Sequence, residues 1–482
     1  MTEKSLDLKD PALLQNINIQ LGTQISGHER SRLLAFTVAA SCKTPYPVAL
    51  ILVGDPGAGK SRICEVVMAN FEDKEKIVIT SASAKALDYL PEESLANKVL
   101  YVGEVGGIKD AGLGLRTLLS EGRLARLVTE KDPKTGKYVA ELVYHKGKPV
   151  FLSTTNLVKF SGAMANRILF DSVDQSSDQI KGALAWKADQ ASKPHFDEAQ
   201  PDQYLTGFLK KSVGNRQVLV SFLGPIAEKL PSTKTLIFRR YDQLEYLVKV
   251  SSLIHYEQRI HVEYGLTEYV VAHPVDFLYA RDLLGPGGIT SRTDQRLTQV
   301  YDWMKLGESY RTLDVARGFN KSQDWARIIL DELNNLGLAE KNENTRPYFF
   351  TKLEANPETD PLQPEYLEDY NYDGPLFEAW YERYEGTIKS ITYRPDKEPF
   401  YVNPVTVDPI GIVKTPFEYQ TRPIQPESGG VEPTRLSSVS NQPQQLADDT
   451  ERVHGMSCTR CKITYPDRPS FDNHLSTYKH NQ

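Results

Sequence analysis

The sequence predicts an α/β fold organised around one glycine-rich turn, and three observations predict it. Gly54-Asp-Pro-Gly-Ala-Gly-Lys-Ser61 fills the template G-x-x-x-x-G-K-[ST]. The apolar run Val48–Val53 ahead of it has strand length, and Ser61–Met68 behind it carries apolar residues at helical spacing. Further runs at Lys76–Thr80, Lys98–Glu104 and Val150–Asn156 read as strands separated by helical or turn stretches.

The turn has a direct chemical reading. Gly54, Gly57 and Gly59 let the backbone curl so that its N–H groups point inward at phosphates, and the following helix start adds its positive dipole end. Lys60 places a charge on the outer phosphates and Ser61 offers a hydroxyl to Mg²⁺. Gly54, Asp55, Pro56, Gly57, Ala58, Gly59, Lys60 and Ser61 are therefore the candidate residues for binding ATP.

Composition excludes little but frames the rest. The chain has 482 residues, 40% hydrophobic and 25% charged, ordinary for a globular protein of two or three domains. No apolar run reaches the ~20 residues that span a bilayer, and MTEKSLDLKDPALLQ lacks the basic-then-apolar layout of a signal peptide. An intracellular, cytoplasmic or nucleoid-associated protein without a membrane partner is expected. The net charge of −6 argues against nucleic acid only superficially. Twelve acidic residues stand against four basic ones between Glu354 and Phe400, so the acid is concentrated in a tail.

Ile25-Ser-Gly-His-Glu29 leads the helical stretch Arg30–Ala40, ahead of the P-loop Gly54–Ser61. These two features together resemble the minichromosome maintenance (MCM) type of AAA+ helicase and its plasmid and viral relatives. The resemblance covers roughly residues 20–350. It implies an AAA+ three-layer core over 25–260, after an N-terminal tail of 1–24. His28 reads on its own as a polar residue at a helix entry.

The remaining candidates take their roles from their place in that order. Lys98–Glu104 is the Walker B candidate: an apolar strand ending in an acid that polarises water. Its Glu104 stands at the catalytic position, but Gly103 replaces the usual metal-organising aspartate. The family's β-hairpin insert also has no counterpart in 81–97. Leu124–Glu130 and Lys137–Tyr144 flank a Pro/Gly turn and predict a hairpin, in a region carrying eight Lys or Arg against four acids. It occupies the place of the pre-sensor hairpin, so Lys131, Lys134 and Lys137 are candidate DNA contacts; a solvated turn is the alternative. Asn156 ends its strand as a sensor 1 amide would. Arg167 matches the arginine-finger segment, acting on a neighbouring subunit's nucleotide. Phe238–Arg259 reads as one long helix resembling sensor 2, with Arg239 or Arg240 toward nucleotide.

Residues 175–235 read as a helical connector. Residues 290–353 read as a winged-helix domain, three helices followed by a wing, contacting DNA or protein. From 354 to 452 the Pro, Gln, Ser and acidic composition predicts a disordered linker, within which Leu376–Tyr384 can form a helix. Residues 453–482 read as a C₂H₂ zinc finger: Cys458-x₂-Cys461-x₁₂-His474-x₅-His480 has Zn²⁺-ligand spacing, with Tyr465 and Phe471 where apolar residues cover the metal. Cys42 and Cys64 read as buried apolar residues.

The expected function is a DNA-dependent ATPase, a ring-forming MCM-like helicase on single- or double-stranded DNA. Lys60, Ser61, Glu104 and Asn156 would act in cis and Arg167 in trans. A replication protein is a candidate partner for the acidic tail or finger. The altered Walker B motivates an alternative, an ATP-switched initiator, loader or regulator without unwinding. A non-nucleic-acid remodeller is the third reading.

Overall fold

A computed structural model of the chain describes residues 6–81, 94–108, 112–131, 136–156, 167–192, 198–211, 213–230, 236–285, 295–335, 338–342, 344–353, 364–405, 456–457 and 464–465. The chain divides into two units, Met1–Pro416 and Phe417–Gln482.

Helices α1 (Leu13–Gly22) and α2 (Glu29–Ala40) lead into strand β1 (Ala49–Val53), followed by α3 (Lys60–Met68), β2 (Lys76–Ile79), β3 (Val99–Val102) and α4 (Gly112–Glu121). Among the described residues, strands β4 (Arg123–Lys131) and β5 (Tyr138–Lys146) pair only with each other, as the predicted hairpin. Then β6 (Val150–Thr155) and β7 (Leu169–Ser172) complete a five-stranded parallel sheet of order β2-β3-β6-β1-β7. A strand such as Ala-Leu-Ile-Leu-Val, buried along its whole length, is what a parallel sheet covered on both faces requires.

The two faces are separate. Leu50 and Leu52 of β1 pack with Phe36 of α2 and Ile63 and Val67 of α3, while Ile51 and Val53 pack with Leu115, Leu118 and Leu119 of α4. This makes the predicted α/β core of three layers. Beyond β7 come α5 (Ser177–Ala191), α6 (Gln203–Lys211), β8 (Gln217–Leu219), α7 (Leu223–Lys229) and α8 (Leu236–Ile254). The expected helical connector therefore contains a strand. The expected long helix stops at Ile254, and Arg259 turns inward instead. Strands β9 (Ile260–Tyr264) and β10 (Thr267–Val271) form a hairpin and α9 (Pro274–Leu284) follows.

Buried Arg259 ends on Asp276 of α9 through two hydrogen bonds, Nε to Oδ2 at 2.8 Å and Nη2 to Oδ1 at 2.7 Å. Ser251 and Ser252 donate to the same carboxylate at 2.7 and 2.8 Å. A buried ion pair persists only when its remaining lone pairs are satisfied this way.

Residues 295–353 have a core of their own. Helices α10 (Gln295–Trp303), α11 (Thr312–Gly318) and α12 (Gln323–Asn335) bury Leu297, Val300, Val315, Ile329, Leu330 and Leu333. A three-stranded sheet, β11 (Ser309–Arg311), β12 (Ala339–Asn342) and β13 (Phe349–Lys352), in order β11-β13-β12, adds Phe350.

The expectation of a disordered linker from 354 fails over 364–405. Helix α13 (Pro375–Tyr384) and strand β14 (Ile388–Tyr393) are formed, and β14 pairs antiparallel with β9 in a sheet of order β14-β9-β10-β8. Composition misled here because few apolar residues suffice when each is placed well: Leu367, Tyr372, Phe377 and Ile388 are all buried. Polar contacts tie the segment down as well. Glu398 accepts from the Tyr372 N–H and sits 2.7 Å from His273 Nε2, and Lys389 reaches Glu263 at 3.2 Å. Residues 406–455 lie outside the described residues. In the second unit, β15 (Met456–Ser457) pairs antiparallel with β16 (Thr464–Tyr465).

Candidate functional site

A parallel sheet has two unlike edges, one where every strand begins and one where every strand ends. The candidate residues divide between them.

At the ending edge, β1 runs into the glycine-rich turn. Gly57 and Gly59 take φ of 83° and 82°, the left-handed region that favours glycine. Gly54 meets a different constraint, since a Cβ there would lie 2.7 Å from Val173 Cγ2. Lys60 is buried and its Nζ donates to the carbonyls of Gly54 and Asp55, both at 2.8 Å. The ammonium is thus held over the turn it is to serve. Ser61, one residue on, is exposed.

Register brings the next two candidates alongside. Val53 is opposite Thr155, and the Gly54 N–H donates to Thr155 O at 3.2 Å, so Asn156 emerges beside the turn. Val102 is opposite Ser153, and Thr154 Oγ1 donates to Gly103 O at 2.6 Å, which sets Glu104 at the next strand end. Glu104 and Asn156 are both exposed. Gly103 has an ordinary backbone, and a Cβ there would meet nothing within 4 Å. The absent second carboxylate is therefore a matter of sequence, not of space. The Ser61 hydroxyl, exposed at the start of α3, is an oxygen donor of the kind Mg²⁺ takes.

His28 belongs to this edge, although the sequence read it only as a helix entry. It is the N-cap of α2 in a left-handed conformation (φ 57°, ψ 32°), and its Nε2 lies 3.1 Å from where a Gly59 Cβ would stand. Burial pushes its pKa below the ordinary value, opposed in part by Asp174 and Glu29, and its Nδ1 is buried without a hydrogen-bond partner. A non-glycine residue held at positive φ beside the turn is a strained position of the kind found at ligand sites. Nearby, Gln175 Oε1 accepts from the Asp55 N–H at 3.3 Å, and Gln179 Nε2 donates to Ser26 O at 3.1 Å. The adjoining Gly-His pair was the one signal that pointed here.

At the beginning edge lie the arginines. Arg167 precedes β7, and a cavity of about 260 Å³ there is lined by Pro47, Val48 and Ala49 at the start of β1 together with Arg167, Arg239 and Lys148. Arg167 Nε donates to Ser120 Oγ. Burial lowers the Arg167 pKa, with the nearby cations Arg239 and Arg116 acting in the same direction. Arg240 is buried instead, and its Nη1 donates to Gln243 Oε1 at 3.2 Å. From Ala49 to Gly54 the strand runs roughly 16 Å at about 3.3 Å per residue. Arg239, one of the two expected nucleotide contacts, lines the cavity at the far edge with Arg167.

Of the hairpin lysines, Lys137 is exposed beside β5, Lys131 closes β4 opposite Tyr138, and Lys134 lies outside the described residues. Leu127 and Leu142 form a cross-strand pair, exposed 73% and 65%, and Tyr138 on the same face of the ribbon is 75% exposed. Cys458, Cys461, His474 and His480 all lie outside the described residues. Among the described residues no group of three or more His, Cys, Asp or Glu is placed to hold a metal, and no helix is long and apolar enough to cross a membrane.

Residues 12–204 match the family described as the MTBMA_p00010 P-loop domain, under half of the chain. This agrees with the parallel sheet and its turn. A comparison with curated proteins finds no match. Among solved structures the chain is similar to a full-length MCM homolog from Methanopyrus kandleri, at 12% identity and a TM-score of 0.35, over 56% of this chain and 57% of that one. It is also similar to a putative ATPase from Cytophaga hutchinsonii, at 12% identity and a TM-score of 0.33, over 57% of this chain and 86% of that one. An SCCmec type IV Cch active helicase is similar at 11% identity and a TM-score of 0.31, over 70% of each chain. The chain spans little more than half the length of the Methanopyrus protein. At these scores the structural likenesses carry no functional argument.

Proposed function

We propose that the chain is a DNA-dependent ATPase of MCM-like helicase type, working as a ring of copies. The observation that supports this best is the division of candidates between the two edges of one sheet. Gly54–Ser61, Glu104 and Asn156 share the ending edge, while Arg167 and Arg239 share the other. An arginine a strand's length from its own turn serves a phosphate only from the neighbouring copy.

In this reading the turn's N–H groups hold the phosphates of ATP and Lys60 moves its ammonium from the Gly54 and Asp55 carbonyls to the phosphate oxygens. Bound Mg²⁺ would neutralise phosphate charge, held by Ser61 and water. Glu104 takes a proton from the attacking water, Asn156 orients that water, and His28 borders the nucleotide beside Gly59. Arg167, supplied in trans, stabilises charge on the transferring group. Lys131, Lys134 and Lys137 would meet DNA phosphates, with exposed Tyr138 as a stacking surface for bases. The three helices and sheet of 295–353 have winged-helix order. The pairing of Met456–Ser457 with Thr464–Tyr465 brackets Cys458 and Cys461 in sequence, as a Zn²⁺ finger's hairpin does.

The test is ATP hydrolysis and strand displacement by the full chain, with Lys60→Ala and Glu104→Gln as controls. Unwinding that survives Lys60→Ala refutes the reading. A specific observation favours the second reading, an ATP-switched initiator or loader: Gly103 leaves Glu104 without a partner carboxylate. Reversing the charge of Lys134 and Lys137 separates the two. Lost unwinding with ATP binding intact supports the motor, and an unchanged activity supports the switch.

A further inference from the structure

The cavity at the beginning edge holds a residue that neither motif nor matched family assigns. Lys148 lies two residues before β6, as Arg167 lies two before β7, so parallel strands bring both to the same edge. With Arg239 they line the cavity of about 260 Å³, whose other polar walls are Ser120, Asp242 and Gln243. Lys148 Nζ sits 5.1 Å from the centre of the Tyr246 ring, and burial lowers its pKa while Asp242 opposes the shift. Burial and Glu245 push the Asp242 carboxyl upward, and Lys148 and Arg239 pull it back. Arg116 adds a further cation near Arg167, and Glu121 a further anion. Three lining cations thus face one lining carboxylate. Like charges crowded in a half-buried cavity are costly until an anion of several charges arrives.

We propose that Lys148 is a third trans-acting cation, meeting with Arg167 and Arg239 the terminal phosphates held in the glycine-rich turn of a second copy. This rests on the ATPase reading above. In the step it assists, the water oxygen bonds to the γ-phosphorus as its proton passes to Glu104. The bond from that phosphorus to the bridging oxygen breaks, its electron pair leaving on ADP. Negative charge then builds on the oxygens that Lys148 faces. Its ammonium is a compact charge with three donors, complementing the planar forks of the two arginines.

The experiment uses full-length chains with Lys148→Met, Lys148→Arg, Lys60→Ala and Arg167→Ala. Lys148→Met alone is expected to lose about 100-fold in ATPase rate, the scale of a lost charge-stabilising donor, while a fluorescent ADP analogue binds within about twofold of wild type. Lys148→Arg keeps the charge and most of the rate. Mixed in equal amounts, Lys148→Met and Lys60→Ala chains regain activity, because the first supplies a sound turn and the second a sound far edge. With random mixing about one interface in four is competent. Recovery in this mixture supports the proposal. Loss of nucleotide binding by Lys148→Met, or no recovery when Arg167→Ala and Lys60→Ala chains do recover, overturns it while leaving the ATPase ring standing. Failure of both mixtures overturns the trans arrangement itself.

Discussion

His255 offers a direct test of the buried network that joins α8 to α9. The imidazole is wholly buried, stacked on Tyr279 at 4.9 Å between ring centres and 10° between planes. Its Nδ1 lies 2.9 Å from the Ser251 carbonyl, which can only accept, so the proton sits on Nδ1. Nε2 is buried without a partner, and protonating it would strand both an N–H and a charge. Burial, aided by Arg259 and opposed by Asp276, pushes the pKa from 6.5 down to about 4. Between those values the unfolded chain binds a proton that the folded chain refuses. The stability is whole above pH 6.5 and is lost as pH falls toward 4, at about 1.4 kcal/mol per pH unit and about 3 kcal/mol in all. The assay is urea denaturation followed by circular dichroism from pH 7.5 to 4.5, for wild type and His255→Gln. His28, His261 and His273 are also shifted downward by burial and steepen both curves, so the difference in slope isolates His255. The variant should lie lower at pH 7.5 and converge on wild type as pH falls. Parallel curves across this range would refute the reasoning.

Other outcomes follow from single contacts. Gly103→Asp should fold normally, because open space surrounds its Cβ, and should lower the Mg²⁺ concentration needed for half-maximal ATPase by several-fold; an unchanged requirement would deny Glu104 its assigned place. Arg259→Met strands the Asp276 carboxylate, whose pKa burial pushes up and the Arg259 guanidinium pulls down to about 2, and should cost about 3–5 kcal/mol in urea denaturation. Phe377→Ala empties a buried site under β14 and should cost about 3–4 kcal/mol, read as protease cleavage within 364–405 before the P-loop core is cut. If the acidic segment were a solvated tail, that variant would cleave no faster than wild type. If the proposed C₂H₂ reading of 453–482 holds, metal analysis of the purified chain should find one Zn²⁺ that a chelator removes, and a chain without zinc would refute it.

Local patterns were legible from the chain alone. Gly54–Ser61 needs only eight consecutive residues to shape a phosphate turn, and the strand before it and helix after it are visible as periods. The hairpin Arg123–Lys146 was equally plain, because its two strands are neighbours in sequence. The acidic stretch was misread for the opposite reason. Its stability depends on β9 and His273, more than a hundred residues earlier, and composition carries no record of such partners.

The sequence by itself determined which residues can grip a triphosphate: a glycine turn, a lysine and a hydroxyl in unbroken succession. Only the tertiary structure decided who stands beside whom. Parallel pairing of β3, β6, β1 and β7 sets Glu104 and Asn156 at one end, beside the turn that His28 borders, and carries Arg167 and Lys148 to the other, where α8 brings Arg239. The physical reason is reach. A motif is set by bonds along the chain, whereas an edge is set by hydrogen bonds between strands that lie a hundred residues apart.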